Sequence, residues 1–431
     1  MPEKISRRKL LGKSGKAILA GGVGVVAGGV FKVKEAVAAT PAPAAAPAAR
    51  KGVDYFKKLG VPTFINAAGT YTTLSASTMP DEVQAAIALA SQKPVRLLEL
   101  QDAAGDYLAK KLQCEGALVT TGATGAITLG AAACITLGNK SKVVSIPTEM
   151  DGIKNEIILQ TAHSSEYDHA MRNCGAKLIK VNSMEEYEKA FTDQTVMTHY
   201  LNADECPIGR EDWIRVAHQH GVPCFNAAAA DVPPISNLWN YTKMGFDLVG
   251  FSGGKGLRGP QCSGLLLGRK DLIEAAKLNN SPYSNSVGRA LKVAKEEIVG
   301  LVAAVDWFLS QSDESFEAEY RKRAELIAGH LKGIPTVETK VFIPPVANHV
   351  PHLLITYDLK KFKWNALEVM KQMREGTPNV ELNPSTGGGP ASAGLPGGDN
   401  VIVVGVWMLQ PGEDAVVGKR LGEVMKAGLK S

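Results

Sequence analysis

The sequence predicts an α/β protein built on a doubly wound, mostly parallel sheet, followed by a smaller α+β unit. Short apolar runs typical of buried strands alternate with segments of helical period over much of the 431 residues, the order that builds parallel sheets covered by helices on both faces. After about residue 310 the alternation stops, and a long helix leads into shorter strand-like runs. Hydrophobic residues form 45% of the chain and charged residues 21%, which excludes a disordered protein.

Periodicity and flanking residues assign the individual elements in order. Helices are predicted over residues 81–91, 98–112, 125–137, 207–221 and 315–332. Strands are predicted over residues 116–119, 142–146, 246–251, 352–357 and 401–406, with a further strand beginning at residue 224. Residues 384–400 are rich in Gly, Pro and Ser, which predicts a flexible loop.

The first forty residues have the features of an export signal. Ser6-Arg7-Arg8-Lys9-Leu10-Leu11 matches a twin-arginine motif, and Ala36-Val37-Ala38 matches a small-residue cleavage site. The apolar run between them, residues 17–31, is shorter than the roughly 20 residues that span a bilayer. The pattern therefore favours a cleaved signal peptide over a membrane anchor. We expect a periplasmic or otherwise exported protein that uses the Tat export machinery.

These features divide the chain into four parts: a signal peptide (1–38), an Ala/Pro linker (39–52), an N-terminal segment with the large domain (53–310) and a small C-terminal domain (311–431). The formal net charge of +5 comes from the first part, where eight Lys and Arg face two Glu and leave the remainder at −1. That remainder lacks the basic excess of a nucleic-acid binder. The six cysteines include no C-x-x-C pair, so we expect no metal site of that kind.

A single lysine lies in a glycine-rich turn directly after a predicted buried strand. Residues 246–260 read Phe-Asp-Leu-Val-Gly-Phe-Ser-Gly-Gly-Lys-Gly-Leu-Arg-Gly-Pro, with Lys255 in the turn. Glycines let the backbone approach a ligand closely. Burial lowers the pKa of a lysine and makes its amine nucleophilic toward an aldehyde. The alternative is an ordinary solvated lysine, and the local pattern does not separate the two interpretations.

A second candidate site is a turn of hydroxyl residues and glycine that leads from a strand into a helix. Residues 117–126 read Ala-Leu-Val-Thr-Thr-Gly-Ala-Thr-Gly-Ala. Free backbone N–H groups at a helix N-terminus bind phosphate. Ordinary N-capping by Thr121 or Thr124 is the alternative, and taken alone it is the commoner use of such a turn.

A third candidate site is a predicted loop that contains His163. Residues 162–169 read Ala-His-Ser-Ser-Glu-Tyr-Asp-His. A flat ring at this place could stack on a heteroaromatic cofactor. The alternative is a capped helix start with a tyrosine in the core.

In this order the three segments resemble the fold-type-I aminotransferase superfamily of pyridoxal-phosphate enzymes. Within it they are similar to the branch that holds selenocysteine synthase (L-seryl-tRNA selenium transferase) and D-glucosaminate-6-phosphate ammonia-lyase. The resemblance covers nearly all of residues 53–425. The motifs that carry it are residues 66–71, 121–123, 167–170, 252–261, 295–300 and 407–414.

The resemblance implies that the large domain binds pyridoxal 5'-phosphate and that Lys255 is its Schiff-base lysine, which also moves the proton at the substrate's α-carbon. The residues implied to hold the phosphate are Thr121, Gly122, Ala123 and Ser252. His163 would stack on the pyridine ring, and Arg258 would face an acid group of the substrate. The protein's part is to fix the phosphate, the aldehyde and the ring nitrogen of the cofactor.

The chain departs from the branch at one important position. The branch carries an Asp before Ala-Ala-Ala, and that Asp pairs with the pyridine nitrogen. Here residues 225–234 read Phe-Asn-Ala-Ala-Ala-Ala-Asp-Val-Pro-Pro. The Asp position falls on Ala227, or on Asn226 after a shift of one residue, and neither has the negative charge that keeps the nitrogen protonated. The arginine that follows the stacking histidine is also replaced, by Ser164.

The resemblance implies an exported lyase-like enzyme that acts on a small amino acid or amino sugar acid through Lys255. The missing Asp keeps an alternative open, a catalytically altered or non-catalytic binding protein on the same fold. Selenium transfer to a tRNA is not expected, because the mature chain is close to neutral. Because superfamily members mostly build their sites across a dimer interface, we expect a homo-oligomer, at least a dimer, with a small-molecule substrate and no nucleic acid.

Overall fold

The computed structural model describes residues 52–202, 206–389 and 394–430. The predicted signal peptide lies outside the described residues, as does all but the end of the predicted linker. The chain divides into two compact units, one ending at Val61 and the other beginning at Pro62. In the first unit, helix α1 (Tyr55–Leu59) is capped by Asp54, whose carboxylate accepts a hydrogen bond from the backbone N–H of Lys57 at 3.0 Å.

The second unit is built on a seven-stranded sheet, whose strands are β2 (Gly116–Thr121), β3 (Glu156–Gln160), β4 (Lys177–Val181), β5 (Thr195–Leu201), β6 (Cys224–Ala227), β7 (Leu248–Ser252) and β8 (Ser263–Gly268). They lie side by side in the order β2-β8-β7-β6-β5-β3-β4. The pairs from β4 to β7 are parallel, whereas β8 runs antiparallel to both of its neighbours. The predicted doubly wound, mostly parallel sheet is thus confirmed.

Helices follow most of the strands, as the alternating pattern predicted. The helices of the large domain are α2 (Asp81–Ser91), α3 (Leu97–Lys111), α4 (Gly122–Thr136), α5 (Lys140–Ser145), α6 (His169–Arg172), α7 (Met184–Lys189), α8 (Arg210–Gln219), α9 (Asn237–Met244), α10 (Lys270–Leu278) and α11 (Lys295–Leu309). Among the helices of the described residues, none has both the length and the apolar character needed to cross a membrane.

The two faces of the large sheet pack into two separate apolar clusters. Alternate residues of a strand point to opposite faces, so Ile157 and Leu159 of β3 pack with α4, while Ile158 between them packs in the other cluster with α3 and α8. Helix α4 is buried on nearly all sides. The sheet is therefore covered on both faces, and polar groups can gather only at its ends.

A smaller C-terminal sheet follows the large domain. The antiparallel strands of this sheet are β9 (Glu338–Phe342), β10 (His352–Thr356) and β12 (Val401–Gly405). The helices of the same part of the chain are α12 (Asp313–Leu331), α13 (Ala366–Arg374) and α14 (Glu413–Gly428). A two-stranded parallel pair joins β1 (Ile65–Ala67) to β11 (Val380–Leu382). The domain boundary predicted near residue 310 lies between α11 and α12 and stays a prediction.

The strand predicted over residues 142–146 is wrong, because the structure has helix α5 at this place. The side chain of Asn139 accepts hydrogen bonds from the backbone N–H groups of Ser141 (2.9 Å) and Lys142 (3.2 Å), which starts a helix. Short apolar runs do not separate strand from helix by periodicity. The asparagine cap was the signal that decided between them.

Candidate active site

A cavity of about 490 Å³ opens at the carboxyl ends of four strands of the large sheet. Thr121 ends β2, Leu201 ends β5, Ala227 ends β6 and Ser252 ends β7, and all four line it. This edge is where open α/β sheets bind ligands. The volume falls in the range of about 300–1,000 Å³ usual for small-molecule sites. Ala347, from the loop between β9 and β10, also contributes to the lining.

The N-terminus of α4 faces this cavity through Thr121, Gly122 and Ala123. The Thr121 side chain does not cap the helix, and its buried Oγ1 has no hydrogen-bond partner among the described residues. The first backbone N–H groups of a helix likewise have no acceptor within the helix. These unpaired donors, together with the helix dipole, suit an anion such as a phosphate. Simple N-capping by Thr121 is therefore not what this turn does.

Lys255 reaches the same cavity from the turn after β7, with Ser252 beside it. Its amine donates no hydrogen bond to any of the described residues, and burial lowers its pKa while Asp231 raises it. The turn can hold the lysine here because its glycines lie against other backbone. A Cβ added to Gly256 would stand 1.9 Å from the carbonyl oxygen of Val232. Lys255 is thus a partly buried amine held in a fixed turn, as a nucleophilic lysine requires.

Asp231 is the carboxyl group that faces Lys255. Its Oδ2 accepts a hydrogen bond from the Tyr241 hydroxyl at 3.1 Å and another from the Asn202 amide. Burial raises the pKa of Asp231 to about 6, although these two hydrogen bonds and the charge of Lys255 act in the opposite direction. The cavity therefore contains an acid and an amine whose pKa values are both moved toward neutrality, a common property of catalytic sites.

Two residues that the sequence placed in the site lie elsewhere among the described residues. His163 is buried but does not line the cavity, because its Nδ1 accepts a hydrogen bond from the backbone N–H of Leu201 (3.3 Å) and its Nε2 lies 3.2 Å from Cys206 Sγ. Arg258 also lies outside the lining, where it donates to the carbonyl oxygen and the hydroxyl of Thr78 at 2.9 and 3.0 Å. Stacking by His163 and substrate binding by Arg258 stay predictions.

Two further polar residues line the cavity: His199, which the sequence did not indicate, and Asp168, which lies in the candidate segment 162–169 but was given no role there. His199 lies two residues before the end of β5, and Asp168 ends a 3₁₀ turn after β3. Asp168 accepts hydrogen bonds from the Ser164 hydroxyl (2.5 Å) and the backbone N–H of Ser165 (3.2 Å). Only the pairing of β3, β5 and β6 brings these side chains to the cavity. A histidine near the carboxyl end of a parallel strand was the one local signal for His199.

The described residues fit pyridoxal phosphate at its phosphate and at its aldehyde, and they lack the expected acid at its ring nitrogen. The start of α4 suits the phosphate, and the partly buried amine of Lys255 suits the aldehyde. At the position that the resemblance gives to an acid, Ala227 lines the cavity, while Asn226 is fully buried and does not. The neutral Ala227 is thus the residue that faces the ligand at this point.

Comparisons with known proteins agree with this fit. A family model described as L-seryl-tRNA selenium transferase matches residues 153–320. A 5'-C-glycyluridine monooxygenase-decarboxylase from a Streptomyces species is 28% identical over 342 residues, which cover 76% of this chain and 83% of that protein. A D-glucosaminate-6-phosphate ammonia lyase from Salmonella typhimurium is 28% identical over 286 residues, which cover 63% of this chain and 75% of that protein.

A solved structure of D-glucosaminate-6-phosphate ammonia-lyase has the same fold. It superimposes with a TM-score of 0.73 at 24% identity and covers 87% of this chain and 99% of that one. Fold, motifs and relatives lead to one conclusion. The chain is similar to the selenocysteine-synthase-like branch of the fold-type-I pyridoxal-phosphate proteins, the comparisons indicate a lyase- or transferase-like enzyme, and its cofactor is pyridoxal phosphate.

Proposed function

We propose that this protein is an exported, pyridoxal-phosphate-dependent lyase-like enzyme that acts on an amino acid or amino sugar acid through Lys255. The observation that carries the proposal is the partly buried Lys255 amine, which shares one cavity with the start of α4 and the carboxyl group of Asp231. A solvated loop lysine would have neither the burial nor the lowered pKa.

The residues of this chain have separate tasks in such a reaction. Thr121, Gly122 and Ala123 would hold the phosphate, and Lys255 would hold the aldehyde carbon. When bound, pyridoxal phosphate withdraws electrons from the bonds at the α-carbon of an attached amino compound. The Lys255 amine, once released, can take a proton from that carbon or return one, because burial lowers its pKa and so favours the neutral amine.

The substrate class is an amino acid joined to a sugar-like chain. The names of the two relatives describe such compounds, a glycyl group on uridine and a phosphorylated amino sugar acid. A second cavity of about 250 Å³ adjoins the first and shares Asn202, Asp231 and Ala347 with it. Its other polar side chains include Arg210, Asn237, Tyr241 and His349. Amide, hydroxyl and guanidinium groups suit the hydroxyl or phosphate groups of a sugar-like chain.

One observation favours a second candidate function, a catalytically altered or non-catalytic binding protein. Ala227 cannot hold the ring nitrogen in its protonated, strongly electron-withdrawing state. The presence of Lys255 in its glycine turn favours an enzyme. A binding protein would still hold the cofactor but would not change the α-carbon bonds of any amino acid.

The lysine is tested by its absorbance and by chemical trapping. We expect the purified protein to absorb in the near-ultraviolet or visible range, and borohydride to fix a pyridoxyl group on the peptide that contains Lys255. Lys255→Ala should lose the label and keep its fold. The matched control is Lys277→Ala, since Lys277 is a half-buried lysine that forms ion pairs with Asp102 and Glu274 outside this cavity. Labelling at a lysine other than Lys255 would refute the assignment.

Enzyme and binding protein are then separated by incubation with sugar-linked amino acids. An enzyme of the proposed class releases a product or exchanges the α-proton for solvent deuterium in the presence of Lys255 and not in Lys255→Ala. A protein that binds the cofactor but does neither with any such compound is the binding protein of the alternative. Export and a homodimeric assembly belong to the same proposal and rest on the twin-arginine motif and on the resemblance.

A further inference from the structure

At the end of β6, the cavity is lined by Ala227 in place of the acid that the resemblance leads us to expect. Ala227 ends β6 and lies beside Leu201 of β5 in the sheet register. On β5, His199 is two residues before Leu201, so its side chain points to the same face as those of Leu201 and Ala227. His199 and Ala227 are therefore diagonal neighbours on adjoining strands, and both line the cavity.

His199 is a buried polar side chain with no partner. It is 4% exposed, and neither ring nitrogen has a hydrogen-bond partner among the described residues. Its ring lies parallel to Phe225, at 5.7 Å between centroids, which fixes the plane but satisfies no polar atom. Buried donors and acceptors are normally paired, and an unpaired one costs free energy. A group with this property at a ligand cavity indicates a bond that the ligand completes.

The exposed part of His199 belongs to atoms other than its two nitrogens. A half-turn about the Cβ–Cγ bond exchanges the ring's nitrogen and carbon positions and leaves the ring plane and the backbone in place. Where a ring carbon borders the cavity, this half-turn places a nitrogen there and keeps the contact with Phe225.

The surroundings of His199 keep the imidazole neutral. Burial lowers the pKa of His199 to about 4, and the charge of Asp168, the carboxylate that acts on it, raises the pKa only partly. A neutral imidazole has one N–H donor and one acceptor nitrogen. The N–H can donate to an unprotonated pyridine nitrogen, and this pairing requires no charge on either ring.

We propose that His199 takes the place of the missing carboxylate and donates a hydrogen bond to the ring nitrogen of the bound cofactor. The inference rests on the proposed function, because Lys255 and the start of α4 must hold the cofactor across the same cavity. It implies an enzyme that works with an unprotonated ring. The two carboxylates that line the cavity are less suited to this role, since Asp168 is held by Ser164 and Ser165 and Asp231 by Asn202 and Tyr241.

A double comparison tests this bond without recourse to catalysis. Dissociation constants are measured for pyridoxal phosphate and for its 1-deaza analogue, in which a C–H replaces the ring nitrogen, in the wild type and in His199→Phe. The wild type should prefer pyridoxal phosphate by roughly three- to tenfold more than His199→Phe does, the range of one hydrogen bond between neutral groups. A residue that merely supports the fold would weaken both ligands equally.

Three further variants keep the result open to contradiction. His352→Phe changes another buried histidine, on β10 and outside the cavity, and should leave the preference unchanged. Asp168→Asn and Asp231→Asn test the carboxylates, and loss of the preference in either of them but not in His199→Phe would overturn the proposal. With ¹⁵N-labelled cofactor, His199→Phe should shift the ring-nitrogen resonance away from its hydrogen-bonded position.

The outcomes separate this inference from the function on which it rests. A wild type that is labelled by borohydride at Lys255, while His199→Phe leaves both the preference and the ¹⁵N resonance unaltered, overturns the role of His199 alone. A wild type that binds neither ligand overturns the cofactor assignment together with it.

Discussion

The ionisation of Asp231 makes the free energy of unfolding depend on pH. Its pKa rises from 3.8 to about 6 on folding, so the folded state holds this proton more tightly than the unfolded state does. The free energy of unfolding must therefore fall as the pH rises from about 4 to about 6. Asp231→Asn should flatten this part of the pH profile and raise the free energy of unfolding at pH 7 by about 1–3 kcal/mol. Denaturant titrations at a series of pH values measure it.

Glu156 is the control of opposite sign. Hydrogen bonds from Lys177 (2.8 Å) and the Thr192 hydroxyl (2.7 Å) lower its pKa. Its stabilisation is therefore present at neutral pH and is lost as the pH falls through the folded-state pKa. Glu156→Gln should lower the free energy of unfolding at pH 7 by no more than about 1 kcal/mol, since the Lys177 side chain is 65% exposed. If Asp231→Asn does not raise the free energy of unfolding at pH 7, the raised pKa of Asp231 is contradicted.

Ala227 decides how strongly the cofactor withdraws electrons. In Ala227→Asp the carboxylate would project into the cavity, where it has room, and would keep the ring nitrogen protonated. A charge-assisted hydrogen bond of about 1.5–3 kcal/mol corresponds to roughly tenfold or more in cofactor affinity. We expect this gain in a fluorescence titration, together with faster transamination side reactions in an assay for the keto acid.

Asn226→Asp is the matched control for that substitution. Asn226 is fully buried on the opposite side of β6, so an acid there cannot reach the cavity and should only destabilise the fold. Equal cofactor affinity in the wild type and Ala227→Asp, or an equal gain in Asn226→Asp, would contradict the assignment of Ala227 to the acid position.

Local chemistry explains which site residues the sequence revealed. Lys255 and the Thr121 turn lie in short motifs whose glycines and hydroxyls already indicate a ligand site from neighbouring residues alone. The structure brings both motifs to one cavity. His199 lies in no such motif, and Asp168 lies in the segment 162–169 without a local pattern that gives it a role. They reach the cavity through pairing between strands that are distant in the sequence, and a register is set by long-range packing that no local pattern contains.

At the scale of elements, strand β8 controls where the phosphate-binding turn begins. A Cβ added to Gly264 would lie 2.2 Å from the carbonyl oxygen of Gly122 and 2.7 Å from the Thr120 hydroxyl. Gly264→Ala must therefore move β8 and the start of α4 apart. We expect a loss of about 1–3 kcal/mol in stability and weaker cofactor binding, measured by thermal unfolding and by titration with pyridoxal phosphate.

Gly329→Ala supplies the contrast. Gly329 lies inside α12, and an added Cβ would have no atom within 4 Å. Because alanine is the better helix former, this variant should gain up to about 1 kcal/mol and bind the cofactor unchanged. If both variants lose cofactor affinity equally, β8 does not position the turn.

Helices with a long periodic pattern were predicted closely, whereas short apolar runs gave several correct strands and one wrong one. Helix α2 was predicted with its observed bounds, and α3 to within one residue at each end, because their periodicity extends over three or more turns. Helix α5 was mistaken for a strand because Val143 and Val144 favour β structure, while its stability comes from the cap at Asn139.

At the scale of the whole molecule, the sheet order explains why the site is composite. The order β2-β8-β7-β6-β5-β3-β4 gathers the ends of β2, β5, β6 and β7 at one edge, so that the phosphate turn, His199, Ala227 and Lys255 come from four separate segments. The cavity can exist only after the whole sheet has formed. An exported protein of this kind would therefore gain from binding its cofactor in the cytoplasm, before translocation.

This coupling leads to the prediction for export. The twin-arginine route carries folded proteins, so the precursor should already hold pyridoxal phosphate when it is exported. Arg7→Lys combined with Arg8→Lys keeps the charge and changes only the motif. The precursor should then remain in the cytoplasm and still be labelled at Lys255 by borohydride. Cell fractionation and mass spectrometry of the labelled peptide measure both results.

The matched control is Lys13→Arg combined with Lys16→Arg, which keeps the charge of the same segment and leaves the motif intact. This variant should be exported like the wild type, with a mature N-terminus near Ala39 or Thr40. Mature protein of the twin-arginine variant in the periplasm at the wild-type level would contradict the route. Retention of a precursor without label would contradict loading before export, because folding and cofactor binding would then have to follow translocation.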